Sequence, residues 1–392
     1  MPTTCYRIAT LLLVALSSTA CAQEPAETWG FVATLGNDTT SVERITRRGN
    51  EITGDAVGRS PVVVRRRWQV TLAPDGSVRR WVMDTRVPNA AEGSRELHHE
   101  LERHDGQIRM VRRAGRDSMD RTVREPSART VPWNSFLYAT TELLLQGARV
   151  LPDSVRIGQY FFEGWAEGKL GYADVKELGG GRFSVASTGL AGSGLAELDS
   201  AGRMISYSGA GTTYHQEVHR VGDVPDLDAL YERFAADERK TGMPRALSTR
   251  DTMRASVAGA GIEVEYSRPL RRGRTLVGEL IPYDRVWRTG ANAATQLSTS
   301  APIRLAGVPL DSGAYTLWTL PTRSGVQLVI NRETGQWGTG YDARNDIERV
   351  PMQVDTLESP VEQFTIRVDT ASSRLVMEWG TFRWSAPIAA AR

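Results

Sequence analysis

Most of this chain alternates between apolar and polar residues, a period-two pattern that constrains it to fold as antiparallel strands. Stretches such as VVVRRRWQVTL, HHELERHDGQIRMVRR and EQFTIRVDT follow the pattern, and turn sequences such as PDG, HDG and GGG separate them. The segment Ala73–Gly76 predicts a hairpin, because Pro74 presets one backbone angle and Gly76 supplies a left-handed one. The pattern predicts a mainly β protein.

Two segments have a helical period instead. In PWNSFLYATTELLLQGAR the apolar residues recur three or four positions apart, which predicts a helix over 133–147. In DLDALYERFAADERK, Asp226 is the expected N-cap of a second helix. Together with the strand pattern, these segments predict an N-terminal domain over residues 24–240. We expect an antiparallel sheet or half-barrel there, covered by the first helix.

The C-terminal third of the chain has no helical period. From residue 254 onward, strand-like runs and turns alternate at short intervals, which is typical of an antiparallel β-sandwich. A chain of 392 residues exceeds what one hydrophobic core usually supports. The sequence therefore predicts a second domain over 254–392, with 241–253 as the linker.

The first 22 residues have the features of a secretory signal peptide. The apolar run Ile8–Leu16 follows one basic residue and precedes a tail of small residues, and it is too short to span a membrane. Cleavage before Gln23 fits the tail; the alternative is a lipobox that leaves a lipid anchor on Cys21. No other run predicts a transmembrane segment. We expect a periplasmic or secreted protein, with an outer-membrane lipoprotein as the alternative.

Composition excludes several classes of function. The only cysteines, Cys5 and Cys21, lie in the leader, so the mature chain has no disulfide, thiolate nucleophile or cysteine-bound metal. The 48 basic and 46 acidic residues are interspersed, which argues against nucleic acid as a partner. No glycine-rich phosphate loop precedes a helix and no G-x-S-x-G sequence occurs. We therefore expect no cofactor.

The histidines do not make a convincing metal site. His215, Glu217 and His219 share one face if they lie on a strand, but the two imidazoles would then be ~13 Å apart, too far to share one zinc ion. A polar outer face is the simpler interpretation. We expect no metal.

Six stretches of the C-terminal third occur together in a known family. They are EYSRP, GRTLVGELIPYDRVWRTGANAAT, SGAYTLWTLP, INRETGQWG, YDARNDIERV and LVMEWGTFRWSAPI. Residues 254–390 thereby resemble the uncharacterised bacterial envelope family catalogued as domain of unknown function 2911. The resemblance implies an envelope location and no particular activity. Asp284 departs from the family pattern, which often has Gly there, so a side chain occupies a turn where a ligand would otherwise approach the backbone.

The first candidate site is the stretch YDRVWRTGANAATQL. On a strand, Trp287 would face one side and Arg288 the other, with Asn292 on the loop beyond. Arg288, Asn292 and Thr295 would then hold a carboxylate, phosphate or sugar hydroxyl while Trp287 stacks on the ligand.

A structural role for the same stretch is the alternative. Arg288 would then satisfy carbonyl groups at a corner of the sandwich and pair with an acid such as Asp346 or Glu348. The sequence leaves both interpretations open.

The second candidate site is the glycine-rich stretch NRETGQWGTGYDARND. It brings Asn331, Trp337, Tyr341 and Asp346 into one loop, and loops on a rigid sandwich often carry recognition. Calcium is a weaker alternative, because Asp342 and its neighbours supply oxygen atoms but lack the EF-hand spacing. An ordinary turn rich in Asp and Asn is the simplest alternative.

These features favour a non-catalytic protein that recognises a small polar or glycan-like ligand, or a partner; they predict no particular oligomeric state. One alternative is an envelope hydrolase with paired carboxylates. Its candidate residues are Glu263, Glu265, Asp342 and Asp346. A second alternative is a carrier of lipid-like ligands, which predicts an apolar cavity beneath Leu137 and Leu144. The third is a purely structural envelope protein, which predicts no concave site at either candidate stretch.

Overall fold

The computed structural model describes ten segments of the chain: residues 25–59, 62–93, 95–125, 129–134, 136–150, 154–161, 170–187, 193–209, 215–241 and 248–391. The predicted signal peptide, with its Cys21, lies outside the described residues. So do residues 242–247 of the expected linker.

The first fifteen strands form one sheet. They are β1 (Glu27–Leu35), β2 (Asp38–Arg48), β3 (Glu51–Arg59), β4 (Val63–Leu72), β5 (Val78–Arg86), β6 (Glu96–His104), β7 (Gln107–Ala114), β8 (Asp117–Arg124), β9 (Thr130–Trp133), β10 (Ser154–Phe161), β11 (Leu170–Gly179), β12 (Arg182–Ser187), β13 (Gly194–Leu198), β14 (Met204–Ser208) and β15 (Glu217–Val221). Their order is β8-β7-β6-β5-β4-β3-β2-β1-β15-β14-β13-β12-β11-β10-β9. Every pair is antiparallel except β9–β10, which is parallel.

The hairpin predicted between β4 and β5 is confirmed. Gly76 has a left-handed backbone with φ 78°, and its amide donates to the carbonyl of Ala73 at 2.9 Å. The sheet curls so far that its edge strand β9 comes near this turn, where Arg129 donates to the carbonyl of Asp75 at 3.3 Å. The curl matches the expected half-barrel, and the mainly β fold class is confirmed.

Helix α1 (Tyr138–Arg149) fills the concave face of this sheet. The sequence predicts a helix over 133–147, but the structure begins it at Tyr138. The reason is tertiary: Thr130–Trp133 pair with β10, and Phe136 has a left-handed backbone with φ 70° that a helix does not allow. The predicted helix is present, but its predicted first residue, Trp133, is the last residue of strand β9.

Aromatic side chains dominate the core around α1. Trp68 stacks on Trp81 with ring centroids 4.9 Å apart, and both are buried. Gly54 makes this possible, because a Cβ there would lie 2.1 Å from the indole of Trp68. The close approach of β3 and the ring explains a glycine in the middle of a strand.

Helix α2 (Leu227–Thr241) covers the outer face of the same sheet. The N-cap prediction is confirmed, since the Asp226 carboxylate accepts from the amides of Asp228 at 2.9 Å and Ala229 at 3.2 Å. Its apolar face, which includes Leu230 and Phe234, packs on valines of β2, β3 and β4. None of the helices in the described segments is long and apolar enough to span a membrane.

The C-terminal strands form two antiparallel sheets. They are β16 (Ser248–Val257), β17 (Ala260–Pro269), β18 (Thr295–Thr299), β19 (Ile303–Leu305), β20 (Val308–Leu310), β21 (Gly313–Thr322), β22 (Gly325–Asn331), β23 (Asp346–Pro351), β24 (Gln353–Asp369) and β25 (Arg374–Ala390). One sheet has the order β16-β17-β18-β21-β22-β23 and the other β20-β19-β25-β24. A core that includes Trp287, Phe364, Trp379 and Trp384 lies between them. The predicted C-terminal antiparallel sheets are confirmed.

The β1–β2 turn contacts the loop that follows β17. The amide of Asn37 donates to the carbonyl of Arg272 at 2.9 Å. Gly36 has φ 59°, and a Cβ at this residue would lie 1.9 Å from the same carbonyl oxygen. Only glycine therefore permits this close approach between the large sheet and the C-terminal strands.

Candidate ligand-binding surface

The two candidate stretches meet on the outer face of the six-stranded sheet. Trp287 exchanges backbone hydrogen bonds of 2.7 and 3.0 Å with Thr319 of β21, which fixes the first stretch to the sheet. The amide of Gly338 donates to the carbonyl of Asn292 at 2.9 Å, and Ala293 pairs with the residue before Gly338 as an antiparallel bridge. Two clusters predicted separately thus form one surface.

The side chain of Trp287 is not part of that surface. The predicted alternation is present, because Trp287 and Thr289 face inward whereas Arg288 is half-buried on the other side. Trp287 is only 5% exposed, and its ring lies 5.2 Å from Phe364 and 6.0 Å from Trp379. The prediction that Trp287 stacks on a ligand is therefore corrected: its indole fills the core of the sandwich.

The backbone next to Trp287 is strained. Thr289 has φ 52° and Asn292 has φ 60°, a left-handed region that β-branched residues such as Thr rarely enter. Thr295 is fully buried, and its hydroxyl donates to the carbonyl of Thr289 at 2.6 Å. Thr295 thus holds the turn and does not reach solvent. Such strain persists only where the surroundings fix it, as they do at many functional sites.

Arg288 projects from this turn toward the second loop. Its Nη1 donates to the carbonyl of Asn292 at 3.3 Å, and burial lowers the pKa of its guanidinium. A Cβ at Gly338 would lie 2.3 Å from the Cδ of Arg288, so glycine is required for the loops to pack. Arg288 is therefore positioned by contacts from both loops.

Trp337 is the exposed aromatic residue of the surface. Its indole is 49% exposed, and the amide of Gly340 donates to its carbonyl at 2.8 Å. Asn292 is also exposed, and its carbonyl binds the residue after Trp337. We refer to Arg288, Asn292 and Trp337 as the Trp337 surface.

Three other predicted residues brace the loop. Asp346 accepts from Asn331 Nδ2 at 2.9 Å, from the Tyr341 hydroxyl at 2.6 Å and from Arg349 Nη2 at 2.8 Å. Burial and the Asp346 carboxylate raise the pKa of Tyr341 to about 12. The Tyr341 ring packs edge-on against Trp318 at 5.0 Å, and Asn331 is fully buried. The sequence suggested Arg288 as an ion-pair partner of Asp346. In the structure, Asp346 pairs with Arg349 instead.

The carboxylates proposed for a hydrolase are all engaged. Each is paired with an arginine: Glu263 with Arg254, Glu265 with Arg250, Asp342 with Arg344 and Asp346 with Arg349. The hydrogen bond from Arg344 lowers the pKa of Asp342 to about 2. A glycosidase acid needs the opposite shift, so this arrangement does not favour hydrolysis.

The calcium alternative is not favoured either. Asp342 caps the short 3-10 helix Ala343–Asn345, accepting from the amide of Arg344 at 3.0 Å, as in an ordinary Asx turn. Within the described segments, no group of three or more His, Cys, Asp or Glu side chains is arranged to hold a metal ion.

The cavity expected for a lipid carrier is nearly filled. Leu137 and Leu144 line a space of about 20 Å³ between α1 and the sheet. That is room for about one water molecule, whereas sites for larger ligands measure roughly 300–1,000 Å³. The described residues therefore leave no space for an acyl chain at this place.

Sequence reasoning missed a buried carboxylate in the large sheet. Glu43 is fully buried and accepts from Trp68 Nε1 at 3.1 Å and from the amides of Tyr138 and Ala139 at 2.9 and 3.0 Å. Burial raises the pKa of Glu43 to about 8, although these three donors oppose the shift. Glu43 caps the N-terminus of α1 from a neighbouring strand, and nothing in its alternating stretch indicates this role.

A second buried carboxylate lies one turn into the helix. Glu142 Oε1 accepts from Arg220 Nη1 at 2.8 Å and from the amide of Met204 at 2.9 Å. Burial raises its pKa, and the Arg220 charge opposes the shift. The sequence carries a signal here, because Glu142 follows Tyr138 by four positions on the buried stripe of α1.

Two solved structures are similar to parts of this chain. One is the crystal structure of a DUF1089 family protein from Pseudomonas aeruginosa, with 14% identity, a TM-score of 0.33, and coverage of 43% of this chain and 90% of that one. The other is a beta-barrel-like protein of domain of unknown function DUF1849 from Brucella abortus, with 10% identity, a TM-score of 0.33, and coverage of 51% and 97%. Likenesses this weak carry no conclusion about the chain.

Curated proteins include no match to this chain. The family described as "Protein of unknown function (DUF2911)" matches residues 248–388, which begin with β16 and end within β25. The Trp337 surface lies inside this range. The resemblance read from the six C-terminal stretches is therefore confirmed, and the C-terminal region matches the DUF2911 family.

Proposed function

We propose that the C-terminal region binds a small polar, glycan-like ligand on the Trp337 surface without transforming it. The observation that supports this most is a half-exposed indole on a loop pinned by backbone hydrogen bonds, next to a half-buried guanidinium. An aromatic face beside polar donors suits a sugar ring, which presents an apolar face and hydroxyl groups together.

Each residue has a distinct role in this proposal. The Trp337 indole packs on the apolar face of the ligand, while Arg288 and Asn292 donate hydrogen bonds to its hydroxyl or carboxylate oxygens. The loops are already held by the pairing of 292–293 with 337–338, so little conformational freedom is lost on binding. Arg288 keeps its position because Gly338 leaves space for it.

The experiment is a binding screen with the mature full-length chain against a panel of neutral and acidic oligosaccharides. We expect Trp337→Ala to weaken binding of any glycan that the wild type retains by at least ~10-fold, the loss of one stacked aromatic contact. Tyr172→Ala is the matched control, because Tyr172 is an exposed aromatic residue on β11, outside this surface. A wild-type chain that retains no glycan, or equal binding by both variants, contradicts the proposal.

We also infer that the chain is exported to the cell envelope. This inference rests on the leader at residues 1–22. Expression of the full chain in a Gram-negative host, followed by fractionation and mass measurement of the mature N-terminus, tests it. A start at Gln23 supports a periplasmic or secreted form, a diacylglyceryl mass on Cys21 supports the lipoprotein form, and an uncleaved cytoplasmic chain contradicts export.

A further inference from the structure

A groove lies on the outer face of the large sheet, across β2, β3, β4 and β5. Its volume is about 450 Å³, within the range of roughly 300–1,000 Å³ that small-molecule sites occupy. It is lined by charged residues that include Arg44, Asp55, Arg67, Arg80 and Asp84. The groove is far from the Trp337 surface in the chain, and the binding proposal above does not involve it.

The charged residues form a row that crosses the strands. Arg44 lies opposite Asp55, Asp55 opposite Arg67, and Arg67 opposite Asp84. Opposite charges in directly facing positions stabilise antiparallel pairs by roughly 0.2–1 kcal/mol each. If the row served only to stabilise the sheet, every charge in it would be neutralised by a partner. The contacts of each side chain therefore show whether a charged group remains available to bind a ligand.

The two acids of the row are bound elsewhere. Asp55 receives two hydrogen bonds from Arg65, at 3.0 and 2.8 Å, while Arg67 Nε is 3.6 Å away. Asp84 lies 2.7 Å from Nδ1 of His98, its neighbour on β6. The contact of Arg67 with Asp55 is therefore longer and weaker than the two hydrogen bonds that Arg65 donates to the same carboxylate.

The arginines at the ends of the groove differ. Arg80 is neutralised by Glu100, with hydrogen bonds of 2.9 and 2.6 Å. Arg44 makes no ion pair within the described residues, and its Nη2 donates to the carbonyls of Val224 and Pro225 at long distances of 3.3 and 3.4 Å. Arg44 and Arg67 are thus the two arginines of the groove without a carboxylate partner of their own, although the Asp228 carboxylate on α2, which binds Arg65, also attracts both of them.

Polar uncharged side chains form the adjoining row. Thr46 lies opposite Thr53, and Thr53 lies opposite Gln69, on the same face as the charged row. All three line the groove. Hydroxyl and amide groups at this spacing match the hydroxyl groups of a small sugar or hydroxy acid.

We propose that this groove binds a small hydroxylated molecule that carries one anionic group, a carboxylate or a phosphate. The anion lies between Arg44 and Arg67, and the ligand hydroxyls bind Thr46 and Thr53. Guanidinium groups bind both kinds of oxyanion with paired N–H donors. Asp55 and Asp84 lie next to the anion site and repel a second anionic group, so the groove selects ligands with a single carboxylate or phosphate group over ligands with several.

The test uses the mature full-length chain and calorimetric titration with three probes: glucuronate, glucose 6-phosphate and glucose. We expect at least one anionic probe to bind and glucose to bind at least ~10-fold more weakly, because glucose lacks the charge-assisted contacts with the two arginines. Arg44→Gln and Arg67→Gln each reduce binding of that probe ~10-fold. Arg67 is 68% exposed in its side chain, so its replacement leaves the fold intact, as circular dichroism will verify.

Arg156→Gln is the control, since Arg156 is an exposed strand arginine paired with Asp174 on the opposite half of the sheet. The proposal is overturned if neither anionic probe binds at millimolar concentration, if glucose binds as well as the anions, or if the control variant loses as much affinity as the two groove variants. Binding of glucuronate alone assigns a carboxylate site, and binding of glucose 6-phosphate alone assigns a phosphate site. Trp337→Ala leaves anion binding unchanged, which separates this proposal from the glycan surface.

Discussion

Arg272 Nη1 lies 2.5 Å from Asp38 Oδ2, although 234 positions separate the two residues in the chain. The Arg272 side chain is only 5% exposed, and its Nε and Nη2 have no hydrogen-bond partner among the described residues. Its charge therefore depends on one carboxylate from the β1–β2 turn. This ion pair links the large sheet to the strands of the C-terminal region.

Replacing Asp38 by Asn should destabilise the chain by about 2–3 kcal/mol, toward the lower end expected when a buried ion pair loses one partner, because Asp38 is partly exposed. The Asp38→Asn, Arg272→Met double variant should recover much of that loss, since it removes the uncompensated charge. Urea unfolding of both single variants and the double variant measures the coupling. Additive effects would show that the two residues act independently.

Glu43 should make stability depend on pH. Its folded pKa of about 8 exceeds the usual 4.5, so the folded chain binds a proton that the unfolded chain releases between these values. The free energy of unfolding contributed by Glu43 is therefore full below pH 4.5, falls as pH rises, and levels off above pH 8.

Glu43→Gln should flatten that decline, because the amide does not ionise. Urea unfolding at several pH values from 5 to 9 compares this variant with the wild type and with Glu96→Gln, an exposed control on β6. A Glu43→Gln profile as steep as that of the wild type would contradict the assignment.

Asp284 occupies a left-handed turn position, with φ 59°. The conformation explains why glycine suits this position, since any Cβ is strained there. Its amide donates to the carbonyl of Pro321 at 2.8 Å, a bond that every substitution except proline retains. Asp284→Gly should be more stable than Asp284→Ala by about 1 kcal/mol, measured by chemical denaturation. Equal stabilities would mean that the turn relaxes to another conformation.

Gly338→Ala should disturb the Trp337 surface without replacing any of its three ligand-binding side chains. The new methyl group would lie 2.3 Å from Arg288 Cδ and 2.5 Å from the carbonyl oxygen of Asn292, so the loops must separate. We expect a loss of stability of about 1–3 kcal/mol, the usual range for overpacking, and a loss of glycan binding like that of Trp337→Ala.

Gly222→Ala is the matched control for this substitution, because a Cβ there would meet no atom within 4 Å. Retained glycan binding in Gly338→Ala would show that Arg288 does not need its present position. Thermal melting and the same glycan titration provide both readouts.

Local sequence patterns were sufficient to predict most of the strands, the β4–β5 hairpin and the Asp226 cap, because each depends on residues close in sequence. The start of α1 could not be predicted in the same way. Trp133 fits the apolar spacing of the helix, but it pairs in parallel with Phe161 of β10 and therefore ends strand β9. Tertiary pairing overrode the local period there.

The candidate surface was predicted in part. The alternating pattern correctly placed Trp287 and Arg288 on opposite faces. It does not show which of the two faces is covered by the second sheet. Trp287 faces the core because Phe364 and Trp379 come from strands far along the chain. The charged row of the groove could not be predicted from the sequence for a similar reason. Arg44, Asp55 and Arg67 become neighbours only through the register in which their strands pair.

The pairing of β1 with β15 has a consequence for how this molecule acquires its structure. Strands β1 to β8 are neighbours in the sheet in the order of the sequence, so they can pair with one another as each is synthesised. In contrast, Gly30 of β1 can pair with Val221 of β15 only after the intervening residues have been synthesised. Until then β1 presents an unpaired edge, and closing so long a loop is entropically slow. Maturation of the N-terminal half therefore ends with a late long-range step, during which the nascent chain is most vulnerable to mispairing and proteolysis.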